Sequence, residues 1–186
     1  MRFTYIALSL LLFAGCAATM RQMERSYAQE NTRLSPEFDR NRIYTLAVLP
    51  ASVSIRVDRA DLDGLYSYAE MACLQTGYFQ PVDRTKIDAI MKEQQFEASG
   101  LVDPNTAARF GKLAGAEALM FTNIISLKNN EFFNDPKQRD AQLSVRVISA
   151  TTGKLLYSGQ GEASSFEGAL EALKDAMKTA LLGFKQ

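Results

Sequence analysis

The chain has 186 residues that carry 21 basic and 21 acidic side chains, no histidine, no tryptophan and two cysteines. Without histidine it lacks the usual general base near neutral pH and the commonest metal ligand, and two cysteines cannot build a zinc cluster. A balanced charge without a basic stripe gives no electrostatic footprint for nucleic acid, so the composition predicts one globular domain with a short extension and no cofactor, metal or nucleic-acid partner.

The amino terminus has the pattern of a secretory signal. One positive charge is followed by an apolar run over residues 3–14. Roughly a dozen apolar residues are fewer than the ~20 that a membrane-spanning helix needs. The string Phe13-Ala14-Gly15-Cys16 resembles the bacterial lipobox, although phenylalanine stands where leucine is usual. The resemblance implies that residues 1–16 are a lipoprotein signal peptide with its lipobox cysteine, and that Cys16 is acylated.

The residue after the cysteine indicates the membrane to which the lipoprotein is sent. Ala17, where some lipoproteins have aspartate, resembles lipoproteins that are sent to the outer membrane. We therefore expect a lipid-anchored protein that faces the periplasm, with the bilayer as a partner through acylated Cys16. An ordinary signal peptide with a coincidental cysteine is the alternative. Cys73 would then be the remaining thiol, and its place on the apolar side of a predicted helix indicates a buried residue, not a nucleophile.

The segment 17–41 is polar and precedes the predicted domain at 42–186. Met20, Met23, Tyr27 and Leu34 fall near heptad spacing, which is typical of a weak amphipathic helix. A flexible tether between lipid and domain explains the segment equally well.

The first half of the domain alternates strands with helices. Gly77 stops the first helix and Asp83 can cap the second. The patterns predict a strand at 43–49, a loop at 51–58, a helix at 60–76, a strand at 78–82 and a helix at 84–96.

A short helix and a central strand follow. Asp103 caps the helix, Pro104 occupies its first turn, and Gly115 supplies the left-handed residue that ends it. Residues 118–125 are mostly apolar with little alternation, which is typical of a strand covered on both faces. We therefore expect neighbouring strands on both of its edges.

The last third predicts a hairpin and a terminal helix. Residues 128–139 form a polar loop, 141–150 and 154–161 form antiparallel strands, and Ser164 with Glu167 makes a capping box for the helix. The predicted order is β-α-β-α-α-β-β-β-α. This order predicts an α/β fold with a mixed five-stranded sheet and helices packed on it.

Five motifs stand out between about residues 43 and 184. They are Leu46-Ala-Val-Leu-Pro50, Gly77-Tyr-Phe-Gln-Pro-Val-Asp-Arg84, Glu93-Gln94, Leu113-Ala-Gly-Ala116 and Val147-Ile-Ser-Ala-Thr-Thr-Gly153. Together, in this order and spacing, they resemble the CsgG-type domain of the curli secretion lipoproteins. The same layout occurs in the TolB amino-terminal domain and in LpoB, the lipoprotein activator of a penicillin-binding protein.

The resemblance implies a non-enzymatic, protein-binding component of envelope assembly or secretion, with envelope proteins as partners and a possible homo-oligomer. Two departures limit it. The loop 128–139 is too short for a membrane hairpin, whose strands each need about nine to eleven residues. Segment 17–41 spans about 80 Å when fully extended and has one proline. The alternative function is that of an LpoB-like activator of a peptidoglycan synthase. LpoB has a long proline-rich tether, and segment 17–41 is shorter.

The aromatic and acidic residues of the predicted loops indicate binding to a partner and not catalysis. We assign no catalytic residue. Phe132 and Phe133 are adjacent aromatics in a polar loop, where they can anchor a partner or enter a bilayer surface; the alternative is that one ring closes over the core. Segment 51–58 is a second contact loop. Asp58, Asp61 and Asp63 lack the spacing of a calcium loop. A hydrolase that uses two carboxylates is the enzymatic alternative, and it requires two acidic groups facing each other across a cleft.

Overall fold

The computed structural model describes residues 22, 26–27, 30–53, 55–96, 103–129 and 138–185. The signal peptide, Cys16, Phe132 and Phe133 lie outside these residues. The strands are β1 (Thr32–Leu34), β2 (Tyr44–Val48), β3 (Ser52–Val53), β4 (Phe79–Pro81), β5 (Ala118–Asn129), β6 (Arg139–Ser149) and β7 (Leu155–Ser165). The helices that pack on them are α1 (Arg59–Gln75), α2 (Arg84–Glu93), α3 (Pro104–Ala114) and α4 (Ala169–Ala180), followed by a 3-10 turn over Leu182–Lys185.

The strands form one mixed sheet in the order β1-β7-β6-β5-β2-β4, with β3 added beside β5. β2 lies parallel to β4 and β5, and β5, β6 and β7 form an antiparallel meander. The predicted mixed sheet with packed helices is confirmed, although the sheet has seven strands where five were predicted. The two additional strands, β1 and β3, have three and two residues, too few to show a period in the sequence.

Local capping chemistry explains where two helices begin and one ends. The Asp83 carboxylate accepts from the backbone N–H groups of Thr85 and Lys86, and Asp103 caps α3 in the same way. These bonds satisfy donors that a helix start leaves without partners. The side-chain hydrogen bond with Thr85 and the backbone bonds lower the pKa of Asp83, and the backbone bond from Thr106 is the main cause of the lowered pKa of Asp103. Gly115 ends α3 with a φ of 70°, the left-handed conformation that the sequence predicted. The caps predicted at Asp83, Asp103 and Gly115 are therefore confirmed.

The last helix begins later than predicted. Residues 164 and 165 belong to β7, because its ladder with β6 continues to the pair Arg139↔Ser165. The helix α4 starts at Ala169, after Gly168, so the predicted capping box at Ser164 and Glu167 is wrong. The predicted loop is also shorter than expected, because β5 extends to Asn129 and β6 begins at Arg139.

Two hydrophobic cores lie on opposite faces of the sheet. The larger one packs α1 and α4 on one face, and Cys73 is fully buried there, as predicted. The smaller one packs α2 and α3 on the other face, with Ile87 and Phe110 at its centre. The alternation of side chains along the strands sends neighbouring residues to different cores, so the start of β5 is buried on both faces.

Residues that precede the predicted domain start at 42 contribute to the fold. Thr32 and Leu34 of β1 pair with Gly159 and Tyr157 of β7. Phe38 is buried and stacks on Tyr44, with ring centroids 5.1 Å apart. Its other aromatic neighbours within 6.0 Å are Tyr78, Phe79 and Phe184. The aromatic group therefore joins both ends of the described chain to the sheet.

Close contact between β7 and α4 depends on two glycines. A Cβ added at Gly161 would lie 1.8 Å from the Ala176 carbonyl oxygen, and one at Gly159 would lie 2.1 Å from that of Ala180. Since no side chain fits at these distances, glycine is required for the helix to lie this near the strand.

Candidate functional site

The strand directions divide the sheet into two ends. At one end, which we call the strand-start end, β2, β4, β5 and β7 begin and β6 ends. At the other end, β5 and β7 end and β6 begins. We call it the hairpin end, after the connection between β5 and β6. Because α1 leads into β4 and α3 leads into β5, both of these helices finish at the strand-start end. The two ends carry different side chains, and each is a candidate contact surface.

The strand-start end carries four large apolar side chains in solvent. Their exposed fractions are 65% for Ile43, 52% for Leu74, 45% for Leu113 and 41% for Leu155. Ile43 immediately precedes β2 and Leu155 begins β7. Leu74 lies in the last turn of α1, and Leu113 lies in the last turn of α3. We call these four residues the apolar rim. Single exposed apolar residues are ordinary, but four at the same end of a sheet make this end a candidate contact surface.

Polar contacts fix the segments that hold the rim. The Arg42 guanidinium forms an ion pair with Glu117 and lies 4.4 Å from the centre of the Tyr44 ring. The second oxygen of Glu117 accepts from the backbone N–H of Thr45 at 3.1 Å. The Lys86 ammonium donates to the Ala114 carbonyl at 2.7 Å, at the end of α3. Ile43 and Leu113 are therefore presented from well-anchored backbone.

The second face of the meander is polar toward the hairpin end. The smaller core covers this face only near the strand-start end, at residues such as Leu119 and Ile148. Farther along, cross-strand rows place polar side chains beside one another. We call this region the open polar face; its residues are Asn123, Ser126, Lys128, Asp140, Gln142, Ser144, Arg146, Ser158, Gln160, Glu162 and Ser164.

A shallow pocket of about 400 Å³ lies on the open polar face. Ser126, Asp140, Gln142, Glu162 and Ser164 contribute its polar lining. The Gln142 amide donates to the Glu162 carboxylate across the two strands. The register places Asp140 and Glu162 on the same sheet face, on adjacent strands, so they stand side by side. They do not face each other across a cleft, as a two-carboxylate hydrolase requires.

One of the acidic residues around the start of α1, Asp63, has a structural explanation. Asp63 forms an ion pair with Arg84, whose guanidinium also lies 4.5 Å from the centre of the Tyr66 ring. The hydrogen bond from Arg84 lowers the pKa of Asp63. The Tyr66 hydroxyl donates to the Val48 carbonyl at 2.8 Å, which ties this cluster to β2. Within the described ranges, no group of three or more acidic or cysteine side chains is arranged to hold a metal ion.

The predicted contact residues Phe132 and Phe133 stay a prediction. The structure places only the strands that flank them: the last pair of the β5–β6 ladder is Asn129↔Arg139, at the hairpin end. Sequence reasoning missed the apolar rim, because each of its members was assigned to a strand or helix. Large apolar residues at the very ends of elements were the available signal. None of the helices within the described part of the chain is long and apolar enough to cross a membrane.

Comparison with protein families adds an independent observation. A family model described as the curli production assembly/transport component CsgG matches residues 70–175. No curated protein sequence matches the chain.

Solved structures with a similar fold come from several bacterial proteins. The PelC dodecamer from Paraburkholderia phytofirmans is 10% identical, with a TM-score of 0.54 over 82% of this chain and 94% of that chain. The lipoprotein GNA1162 from Neisseria meningitidis is 13% identical, with a TM-score of 0.53 over 65% and 82%. LpoB from E. coli is 13% identical, with a TM-score of 0.50 over 78% and 65%. At these identities the likeness concerns the fold.

Proposed function

Because the chain belongs to the CsgG family, we propose that it is a lipid-anchored protein of the outer membrane that binds other envelope proteins during assembly or secretion. The observation that carries this proposal is the family match, which covers more than half of the chain. The protein acts by binding and not by catalysis. It faces the periplasm, with residues 1–15 removed, the acylated Cys16 as the first residue, and residues 17–31 linking Cys16 to the sheet.

The apolar rim is the contact surface in this proposal. Its side chains are exposed in the free domain, and their burial against a partner would contribute about 25 cal/mol for each Å² of apolar area removed from water. Fixed backbone around Ile43 and Leu113 keeps the entropy cost of ordering the surface low. Phe132 and Phe133 are a second proposed contact site, at the hairpin end.

Acylation is tested first. The full chain is expressed with a labelled fatty acid beside a Cys16→Ser variant, and the envelopes are fractionated. We expect the label and the outer-membrane location for the wild type and neither for the variant. An unacylated wild type that retains residues 1–15 would contradict the anchor.

Partner binding is tested by crosslinking in intact envelopes. We expect the Ile43→Asp/Leu113→Asp double variant to lose crosslinked species that the wild type forms, because a charge at a buried contact leaves a desolvated carboxylate. Gln160→Asp/Ser164→Asp, which puts the same two charges on the exposed open polar face, is the matched control. Equal loss in both variants would argue against the rim as the contact surface.

Two further properties belong to the proposal. Self-association is supported by the similarity of the fold to a protein described as a dodecamer, and the native mass of the detergent-extracted protein tests it. Activation of a peptidoglycan synthase is the alternative function, supported by the similarity to the LpoB fold. Since Thr32 already belongs to the sheet, the residues between Cys16 and Thr32 would span at most roughly 50 Å even if fully extended, which disfavours a long reach. Addition of the domain to a glycan polymerisation assay distinguishes the two functions.

A further inference from the structure

The edges of the sheet differ in how they are covered. An edge strand leaves a row of backbone N–H and C=O groups without partners, and proteins usually shorten or cover such rows. β4 has three residues and ends at Pro81, which has no N–H to offer. On β7, residues 157–159 pair with β1, and farther toward the hairpin end the Tyr27 hydroxyl is hydrogen-bonded to the backbone of Glu162. Both outer edges of the sheet are therefore protected.

β5 has a further edge, which begins where β3 stops. β3 pairs with β5 only at Asn123 and Ile124. The chain then bends at residue 55 and leads into α1, whereas β5 continues to Asn129. Within the described ranges, no strand pairs with the outer side of residues 126–129. We call this outer side the β5 edge.

The bulge at Ile125 determines which backbone groups the β5 edge offers. Before the bulge, the Met120 carbonyl accepts from the Leu49 N–H at 3.0 Å, so the even-numbered residues of β5 direct their backbone groups away from β6. The ladder with β6 skips Ile125, and this extra residue reverses the alternation. Beyond it, Leu127 and Asn129 therefore direct their N–H and C=O groups outward.

Side chains beside the β5 edge add apolar and charged contacts. Val53 and Ile125 lie at its start and are 39% and 38% exposed. Lys128 is exposed on the open polar face, opposite Asp140 of β6. A carboxylate on an added strand would lie on the other side of Lys128 and continue this alternation of charge across the sheet. The edge thus fits an extended segment that has an acidic residue among β-branched ones.

A second copy of the chain fits this edge less well. Antiparallel pairing of two β5 edges through their outward residues, Leu127 with Asn129, would place the two copies of Lys128 directly opposite each other. Like charges in that position are destabilising. The charge of the β5 edge therefore favours a different protein as the occupant.

We propose that the β5 edge binds an extended, acidic segment of a partner protein, which adds to the sheet as a strand beside β5. The inference rests on the proposed function, the binding of envelope proteins, and assigns to it a contact site separate from the apolar rim. Main-chain hydrogen bonds with Leu127 and Asn129 supply the affinity, and the contact with Lys128 supplies the selectivity.

Peptide binding tests strand addition. The full-length protein in detergent micelles is titrated with a fluorescent peptide of alternating threonine and valine that carries one central glutamate. The matched peptide has the same side chains, but methylation of alternate backbone nitrogens removes the donors that pair with β5. Fluorescence anisotropy measures the Kd, and hydrogen–deuterium exchange of fragments from residues 121–129 locates the bound peptide.

Two variants at one position test the same bonds from the protein side. Asn129→Pro removes an outward N–H of the β5 edge without removing a bond to β6, and Asn129→Ala is its control because it keeps that N–H. Circular dichroism checks that both variants fold, and the methylated peptide tests the wild type independently of them.

We expect the methylated peptide, and the Asn129→Pro variant, to weaken binding about tenfold, whereas Asn129→Ala binds as the wild type does. Exchange in residues 121–129 should slow when the unmethylated peptide binds. A peptide with lysine in place of its glutamate should bind several-fold more weakly. Equal affinity for the methylated and unmethylated peptides, or no binding at millimolar peptide, would overturn strand addition at this edge. Either result would leave the proposed function intact, because crosslinking at the apolar rim tests that function separately.

Discussion

The two halves of the β5–β6–β7 meander are built differently. In the half near the strand-start end, successive residues of β6 are buried in opposite cores: Val147 is 0% exposed and Ile148 is 3% exposed. In the half near the hairpin end, Leu143 is fully buried, while Gln142 and Ser144 on the other face are partly exposed. β6 is thus buried on both faces in its strand-start half and on one face in its hairpin half.

The difference follows from the lengths of the helices. α2 and α3 have 10 and 11 residues and cover only the beginning of the second face. β6 and β7 each have 11 residues in an extended conformation, so they run well beyond those helices. Most of the folding free energy therefore resides in the larger core and the strand-start half. The hairpin half has one polar, partly exposed face, where we expect substitutions to change stability little.

The largest effect is expected where β7 meets α4. In Gly161→Ala the new Cβ would lie 1.8 Å from the Ala176 carbonyl oxygen and 2.7 Å from the Ala180 nitrogen. The helix must move away from the strand, so we expect a loss of about 3 kcal/mol or more in the free energy of unfolding. Urea denaturation measures it. Gln160→Ala, on the other face of the same strand, is the control and should change stability by less than about 0.5 kcal/mol.

Alkaline pH should weaken the larger core next. Burial raises the pKa of the Cys73 thiol from 9.0 to about 12. The unfolded chain loses this proton at lower pH than the folded chain. The free energy of unfolding therefore keeps its full thiol contribution below about pH 9 and decreases as the pH rises above it. With a slope approaching 1.4 kcal/mol per pH unit, we expect a loss of about 2 kcal/mol by about pH 10.5.

The thiol contribution is separated with Cys73→Ala. This variant is less stable at neutral pH because it leaves a cavity, but its stability should fall less steeply above about pH 9. Burial also raises the pKa of Tyr66 and Tyr157 above 10.0, so both tyrosines add to the loss above about pH 10, in the wild type and in the variant alike. Identical slopes for the variant and the wild type would show that Cys73 does not produce the dependence.

A smaller loss is expected at the carboxyl end of α4. The Tyr157 hydroxyl donates to the Ala180 carbonyl at 2.5 Å and accepts from the Gly183 N–H at 3.3 Å. Tyr157→Phe leaves both buried groups without this partner, so we expect a loss of about 1.5 kcal/mol in unfolding free energy. Its ring still stacks on Phe184 at 4.0 Å, so the fold is retained, and near-UV circular dichroism checks this.

The smallest effect is expected on the open polar face. Gln142→Ala removes the hydrogen bond to Glu162, but both side chains are accessible to water, which replaces the bond. We expect a change below about 0.5 kcal/mol by urea denaturation. Leu143→Ala, one residue away on the helix-covered face, should cost about 2 to 5 kcal/mol. Comparable losses in the two variants would contradict the one-sided burial of this half.

Several local features were predictable because their causes are local. Asp83 and Asp103 cap helices through bonds that reach two and three residues along the chain. Gly115 ends α3 because only glycine adopts its backbone conformation without strain. The start of α4 was not predictable in this way. Ser164 and Glu167 have a capping pattern, but the ladder with β6 outcompetes it and keeps Ser164 in the strand.

By itself, the sequence determined the alternation of strands and helices, the caps, the burial of Cys73 and the absence of histidine chemistry, because each depends on residue type and short-range spacing. Only the tertiary structure decided that Thr32–Leu34 and Ser52–Val53 are strands, since their backbone groups find partners only on distant strands. It also decided which end of the sheet carries the apolar rim and which receives the amino-terminal segment. Strand direction and register bring these residues together, and both depend on pairing between segments that are far apart in the sequence.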